Sequence, residues 1–91
     1  MLTSKERAAL RAQANTIKPI FRLGKGAISP EFTQGIRDAL AARELIKIDI
    51  LQNCEMGPSE AAEILAERTN AEVVTVIGRK FVLYKQKPQK Q

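Results

Sequence analysis

Two stretches of helical periodicity, Phe32 to Ala42 and Ala61 to Asn70, each lie between short apolar runs, and this alternation leaves few ways to fold. In the first stretch Phe32, Ile36, Ala39 and Leu40 follow the i, i+4, i+7, i+8 stripe of a helix packed on one side. Ser29 is its N-cap, Pro30 takes the first helical position, and Glu31 complements the positive end of the helix dipole. The second helix opens at Gly57-Pro58, turns Ala61, Ala62, Leu65 and Ala66 inward, and leaves Glu60, Glu63 and Glu67 as a solvated face. The apolar runs between them read as strands. Ile20 to Leu23 is bounded by Pro19 and Gly24, while Leu45 to Leu51 alternates, with Ile46, Ile48 and Ile50 to one side and Lys47 and Asp49 to the other. Val73 to Ile77 and Lys80 to Tyr84 are joined by Gly78-Arg79, a glycine-first connection that predicts a type II′ hairpin. Ahead of everything, Thr3 and Glu6 form a capping box for a helix from about Ser4 to Thr16, closed by Pro19.

The order helix, strand, helix, strand, helix, strand, strand predicts an α+β two-layer fold with a mixed sheet of four strands and right-handed crossovers. The N-terminal helix has its own apolar stripe in Leu10, Ala14 and Ile17. It is expected to shield the second face of the sheet, where alternation places Val74, Val76, Val82 and Tyr84 together. A chain of 91 residues, 44% hydrophobic, supports one such core. Residues 1–85 are read as a single domain and 86–91 as a disordered basic tail.

Several chemistries are excluded by residue type. The chain has no His, which removes the usual general base, the Ser-His and Cys-His nucleophile pairs and the commonest zinc ligand. The lone Cys54 cannot form an internal disulfide, so a reducing, cytoplasmic setting is expected. No apolar run reaches the roughly 20 residues of a membrane helix, and Lys5, Glu6, Arg7 and Arg11 occupy the region where a signal peptide would be apolar. Neither an enzyme, a metal site, a cofactor nor a small-molecule substrate is expected.

Charge carries the positive information. Residues 1–25 hold Lys5, Arg7, Arg11, Lys18, Arg22 and Lys25 against Glu6 alone, and residues 77–91 hold Arg79, Lys80, Lys85, Lys87 and Lys90 with no acid. The middle, by contrast, carries nine acids against four cations. Such polarity suits phosphate binding, which follows local rather than net charge. Gly24-Lys25-Gly26-Ala27 lies between a strand and a helix start, where glycines permit positive φ and free amides cradle an anion. It is not a P-loop, lacking the Gly-Lys-Ser/Thr ending, nor a dinucleotide fingerprint, since Ser29 stands where the third glycine belongs. Phe21, Phe32 and Phe81 fall at core positions, so contacts directed to the nucleic-acid backbone are expected rather than a base-stacking sheet.

Three segments together resemble one family. Pro19-Ile20-Phe21-Arg22-Leu23-Gly24-Lys25-Gly26-Ala27-Ile28-Ser29 is similar to the signature loop of the CRM domain in its stand-alone bacterial YhbY form. Arg43 to Ile48 and Val76 to Tyr84 are similar to that family's second strand and closing hairpin. The resemblance implies the fold of the C-terminal domain of translation initiation factor three and a GxxG loop on Gly24 to Ala27, with Ala27 replacing the last glycine. It also implies RNA as partner, with precursors of the large ribosomal subunit as the target. The RNA-binding residues expected are Gly24, Lys25, Gly26 and Ala27 of the loop, with Lys5, Arg7, Arg11, Lys18, Arg22, Arg79 and Lys80 around it. The alternative is a protein-interaction module that uses the acidic middle.

Overall fold

A computed structural model describes residues 3–24 and 28–86, and every predicted element forms in the predicted order. The first helix, α1 (Ser4–Ala14), opens on a complete capping box. The Glu6 N–H donates to the Thr3 hydroxyl at 3.1 Å, and the Thr3 N–H donates to the Glu6 carboxylate at 2.9 Å. Two helix-start amides are thereby satisfied. The Thr3 backbone N–H first, and its side chain second, hold the Glu6 carboxyl below its usual value. α1 stops two residues short of Thr16, because the Thr16 N–H and hydroxyl both turn back to the Gln13 carbonyl.

Strand β1 (Phe21–Leu23) leads to α2 (Pro30–Arg43) and then β2 (Leu45–Ile50). After α3 (Pro58–Thr69), the chain closes with β3 (Glu72–Ile77) and β4 (Lys80–Tyr84). The sheet order is β1-β2-β4-β3, with β1 parallel to β2 and β4 antiparallel to both its neighbours. Gly78 has φ +58°, as the first position of the predicted turn requires, and a residue with a Cβ would be strained there. Two further junctions use left-handed backbone without glycine: Glu44 between α2 and β2, and Asn70 at the end of α3.

The helices divide between the two faces. α2 and α3 cover one, burying Ile36, Leu40 and Leu65 against Leu23, Ile46, Ile48, Ile50, Phe81 and Leu83. α1 crosses part of the other, where Ala14 is buried on Val74 and Val82 with Leu10, Leu45 and Tyr84 alongside. Val76 does not join them, contrary to expectation. Val73 stands opposite Leu83 and Thr75 opposite Val82, so Val74 is an extra residue in a β-bulge. The parity of the strand reverses beyond it, and Val76 packs with the α2 and α3 side instead.

Candidate nucleic-acid interface

Gly24 follows the last residue of β1, at the end of the sheet where β2 also finishes. The Leu51 N–H donates to the Leu23 carbonyl at 2.9 Å, carrying the parallel pairing one step past β2. A Cβ built on Gly24 would lie 3.4 Å from the Leu51 side chain and 3.7 Å from Asn53 Oδ1, which is ordinary contact. Its φ is not positive, so the left-handed backbone expected of the loop glycines is absent at this one. Lys25, Gly26 and Ala27 lie outside the described residues. Beyond them Ile28 is buried, and Arg68 of α3 reaches its carbonyl at 3.4 Å. Ser29 caps α2 by accepting from the Phe32 N–H at 3.0 Å. Both ends of the loop are thus anchored on rigid elements.

The β3–β4 turn meets the same end of the sheet. The Arg79 guanidinium donates to the carbonyls of Ile50 at 3.2 Å and Leu51 at 2.7 Å, and the Ile50 N–H returns a bond to the Arg79 carbonyl at 2.7 Å. Arg79 remains exposed while it fastens the turn to β2. Next to it, strand register sets Arg22, Asp49 and Lys80 in one row across β1, β2 and β4. At the usual strand spacing of about 4.8 Å, Arg22 and Lys80 stand about 10 Å apart. Lys80 pairs loosely with Asp49 at 3.9 Å, and the exposed Arg22 side chain makes no ion pair or hydrogen bond among the described residues. Asp49 therefore interrupts the basic row, while Glu60, Glu63 and Glu67 of the acidic middle are exposed on α3, across the sheet.

The cations of α1 do not form one set. The Arg7 guanidinium donates to the carbonyl of Val73 and, at 3.4 Å, to that of Val74, which fastens the helix to the bulge. Lys5 and Arg11 are exposed on α1, and Lys18 is exposed on the approach to β1. Sequence reasoning did not single out Lys47, which precedes Asp49 by two residues and shares its face. The signal was present in the outward half of the β2 alternation.

Aromatic rings play no part in this surface. Phe21 and Phe32 meet edge to face with centroids 5.7 Å apart and pack on the main core, Phe81 is fully buried, and Tyr84 is half-buried beneath α1. Among the described residues there is no cluster of metal-binding side chains and no helix long and apolar enough to cross a membrane.

The CRS1/YhbY (CRM) domain profile matches residues 2–85. The chain is 43% identical over 86 residues to the "Probable RNA-binding protein YqeI" of Bacillus subtilis (strain 168), covering 94% of this chain and 90% of that one. A probable RNA-binding protein of Methanocaldococcus jannaschii is 33% identical over 86 residues, 92% of this chain and 63% of that protein. The solution structure of a Staphylococcus aureus protein described as a candidate RNA binder superposes with a TM-score of 0.82 at 43% identity, over 100% of this chain and 95% of the other.

Proposed function

Since the chain belongs to the CRS1/YhbY (CRM) domain family, we propose that it is an RNA-binding protein that assists assembly of the large ribosomal subunit by holding its precursor RNA. The names of its relatives support RNA as the partner. The observation that carries the reading is the row Arg22, Asp49, Lys80, which ends beside Arg79 and the Gly24 loop on the face opposite the acidic helix α3. Exposed cations along this edge attract phosphates of one RNA backbone, while the loop lets that backbone approach closely. With the aromatic rings committed to the interior, recognition rests on shape and phosphate position rather than on aromatic stacking. The protein acts by binding, in the cytoplasm, and neither cofactor nor small substrate enters the proposal.

Sedimentation of a cell lysate through a sucrose gradient tests this. The tagged protein is expected with precursors of the large subunit, and Arg22→Gln with Lys80→Gln is expected to move it toward the top. Wild-type protein that stays at the top, or follows the small subunit, overturns the ribosomal role.

A further inference from the structure

The linker between α1 and β1 leaves the first part of β2 uncovered. β1 pairs with β2 only from Ile48 to Ile50, the Ile20 N–H adds one bond to the Lys47 carbonyl at 3.0 Å, and no strand flanks Leu45 and Ile46 on that side. The gap is an open groove of about 430 Å³. Ile17, Ile20 and Leu45 give it apolar walls. Three elements each bring a cation to it: Lys18 from the linker, Arg43 from the last turn of α2, and Lys47 from β2. Among the described residues no acid lines it, and these three cations form no ion pair.

Apolar walls ringed by positive charge suit a ligand with both a flat apolar face and an anion. The volume lies in the range of small-ligand clefts, about 300–1,000 Å³, and is too small for a helix or a folded segment. A base inside a duplex is stacked and cannot present its face to such walls, whereas an unpaired one can. We propose that this groove receives one unpaired nucleotide of the bound RNA, its base against Ile17, Ile20 and Leu45 and its phosphates on Lys18, Arg43 and Lys47. The assignment rests on the RNA-binding reading above and gives that reading a preference for single-stranded flanks. From Ile20 to Gly24 the chain advances about 13 Å at 3.3 Å per strand residue, so one RNA strand can reach both the groove and the loop.

Fluorescence anisotropy with two RNA hairpins, one blunt and one with a short single-stranded tail, decides the matter. Wild-type protein is expected to bind the tailed hairpin about tenfold more tightly, a difference of about 1.4 kcal/mol. Arg43→Gln, and separately Ile20→Asp, should abolish that preference while blunt-hairpin affinity stays within about threefold. Ile20 is 40% exposed, so its replacement leaves the fold intact, as a circular dichroism spectrum will verify. Gly24→Asp should weaken both hairpins alike and keep their ratio. A wild-type protein without the preference, or groove variants that retain it, overturns the groove alone; the latter is also the result if the groove serves a protein segment. A wild-type protein that binds neither hairpin overturns the RNA reading and the groove with it.

Discussion

Arg7 and Arg11 stand one turn apart on the same helix, yet their surroundings give them different work. Arg7 donates to the bulge carbonyls of Val73 and Val74, while Arg11 points into solvent with no partner among the described residues. Arg7→Gln should lower unfolding free energy in urea by about 1–2 kcal/mol, since charged donors to carbonyls are lost at a half-buried site. Arg11→Gln should leave stability unchanged and make the salt dependence of RNA binding shallower by just under one unit, the loss of one phosphate contact. Equal stability of the two variants would remove the distinction. Gly24 calls for a similar separation. Its φ is ordinary and its Cβ position open to contact distance, so Gly24→Ala should shift stability by no more than about 0.5 kcal/mol. Gly24→Asp places a carboxylate where phosphate is expected and should weaken RNA binding at least about tenfold without altering the circular dichroism spectrum. Wild-type affinity in the Asp variant would reduce the loop to a turn.

At the scale of elements, the capping box makes α1 sensitive to pH in a defined direction. The Thr3 N–H lowers the folded-state pKa of Glu6, so the bond contributes in full above the carboxyl's unfolded value and is lost as pH falls through the lowered one. Glu6→Gln should therefore flatten part of the fall in melting temperature on acidification, and melts from neutral to strongly acid pH will show whether it does. At the C-terminal end of α3, Asn70 holds φ +59° and ψ +39°, a left-handed cap that Asn tolerates. Asn70→Ala should destabilise by about 1 kcal/mol; an unchanged urea midpoint would mean that the cap relaxes. Helix starts were legible because their causes are local: Thr3 with Glu6, Ser29 with Pro30, and Gly57 with Pro58 lie next to the turns they begin. The bulge was not, because what fixes it is remote. Val74 becomes the extra residue through the register of β4 and the guanidinium of Arg7, 67 positions away. Alternation alone therefore put Val76 on the wrong face. The groove was hidden for the same reason, since Lys18, Arg43 and Lys47 meet only after α2 has folded back along β2.

For the whole molecule, topology does what the linear charge pattern could not specify. The N-terminal and C-terminal basic segments flank an acidic middle, yet β4 inserts between β2 and β3 and brings Lys80 within two strands of Arg22. The same insertion delivers Arg79 to the end of β2, while α3 carries Glu60, Glu63 and Glu67 to the other side of the sheet. The end of this face that carries Arg22 and Lys80 is left cationic except for Asp49, which stands between them and pairs with Lys80. An RNA laid on this face exchanges condensed counterions for fixed side chains, and the number exchanged is measurable. If about five cations neutralise phosphates, log affinity should fall against log salt with a slope of about −3.5 to −4.5. Arg22→Gln with Lys80→Gln should make that slope shallower by about 1.4–1.8 units and weaken unrelated RNAs alike, because phosphate contacts carry little sequence information. The same substitutions on α3, Glu60→Gln with Glu63→Gln, should leave the slope unaltered, since those carboxylates lie across the sheet from the RNA. A slope that ignores Arg22 and Lys80 but responds to the α3 carboxylates would move the interface to the opposite face and sink the arrangement proposed.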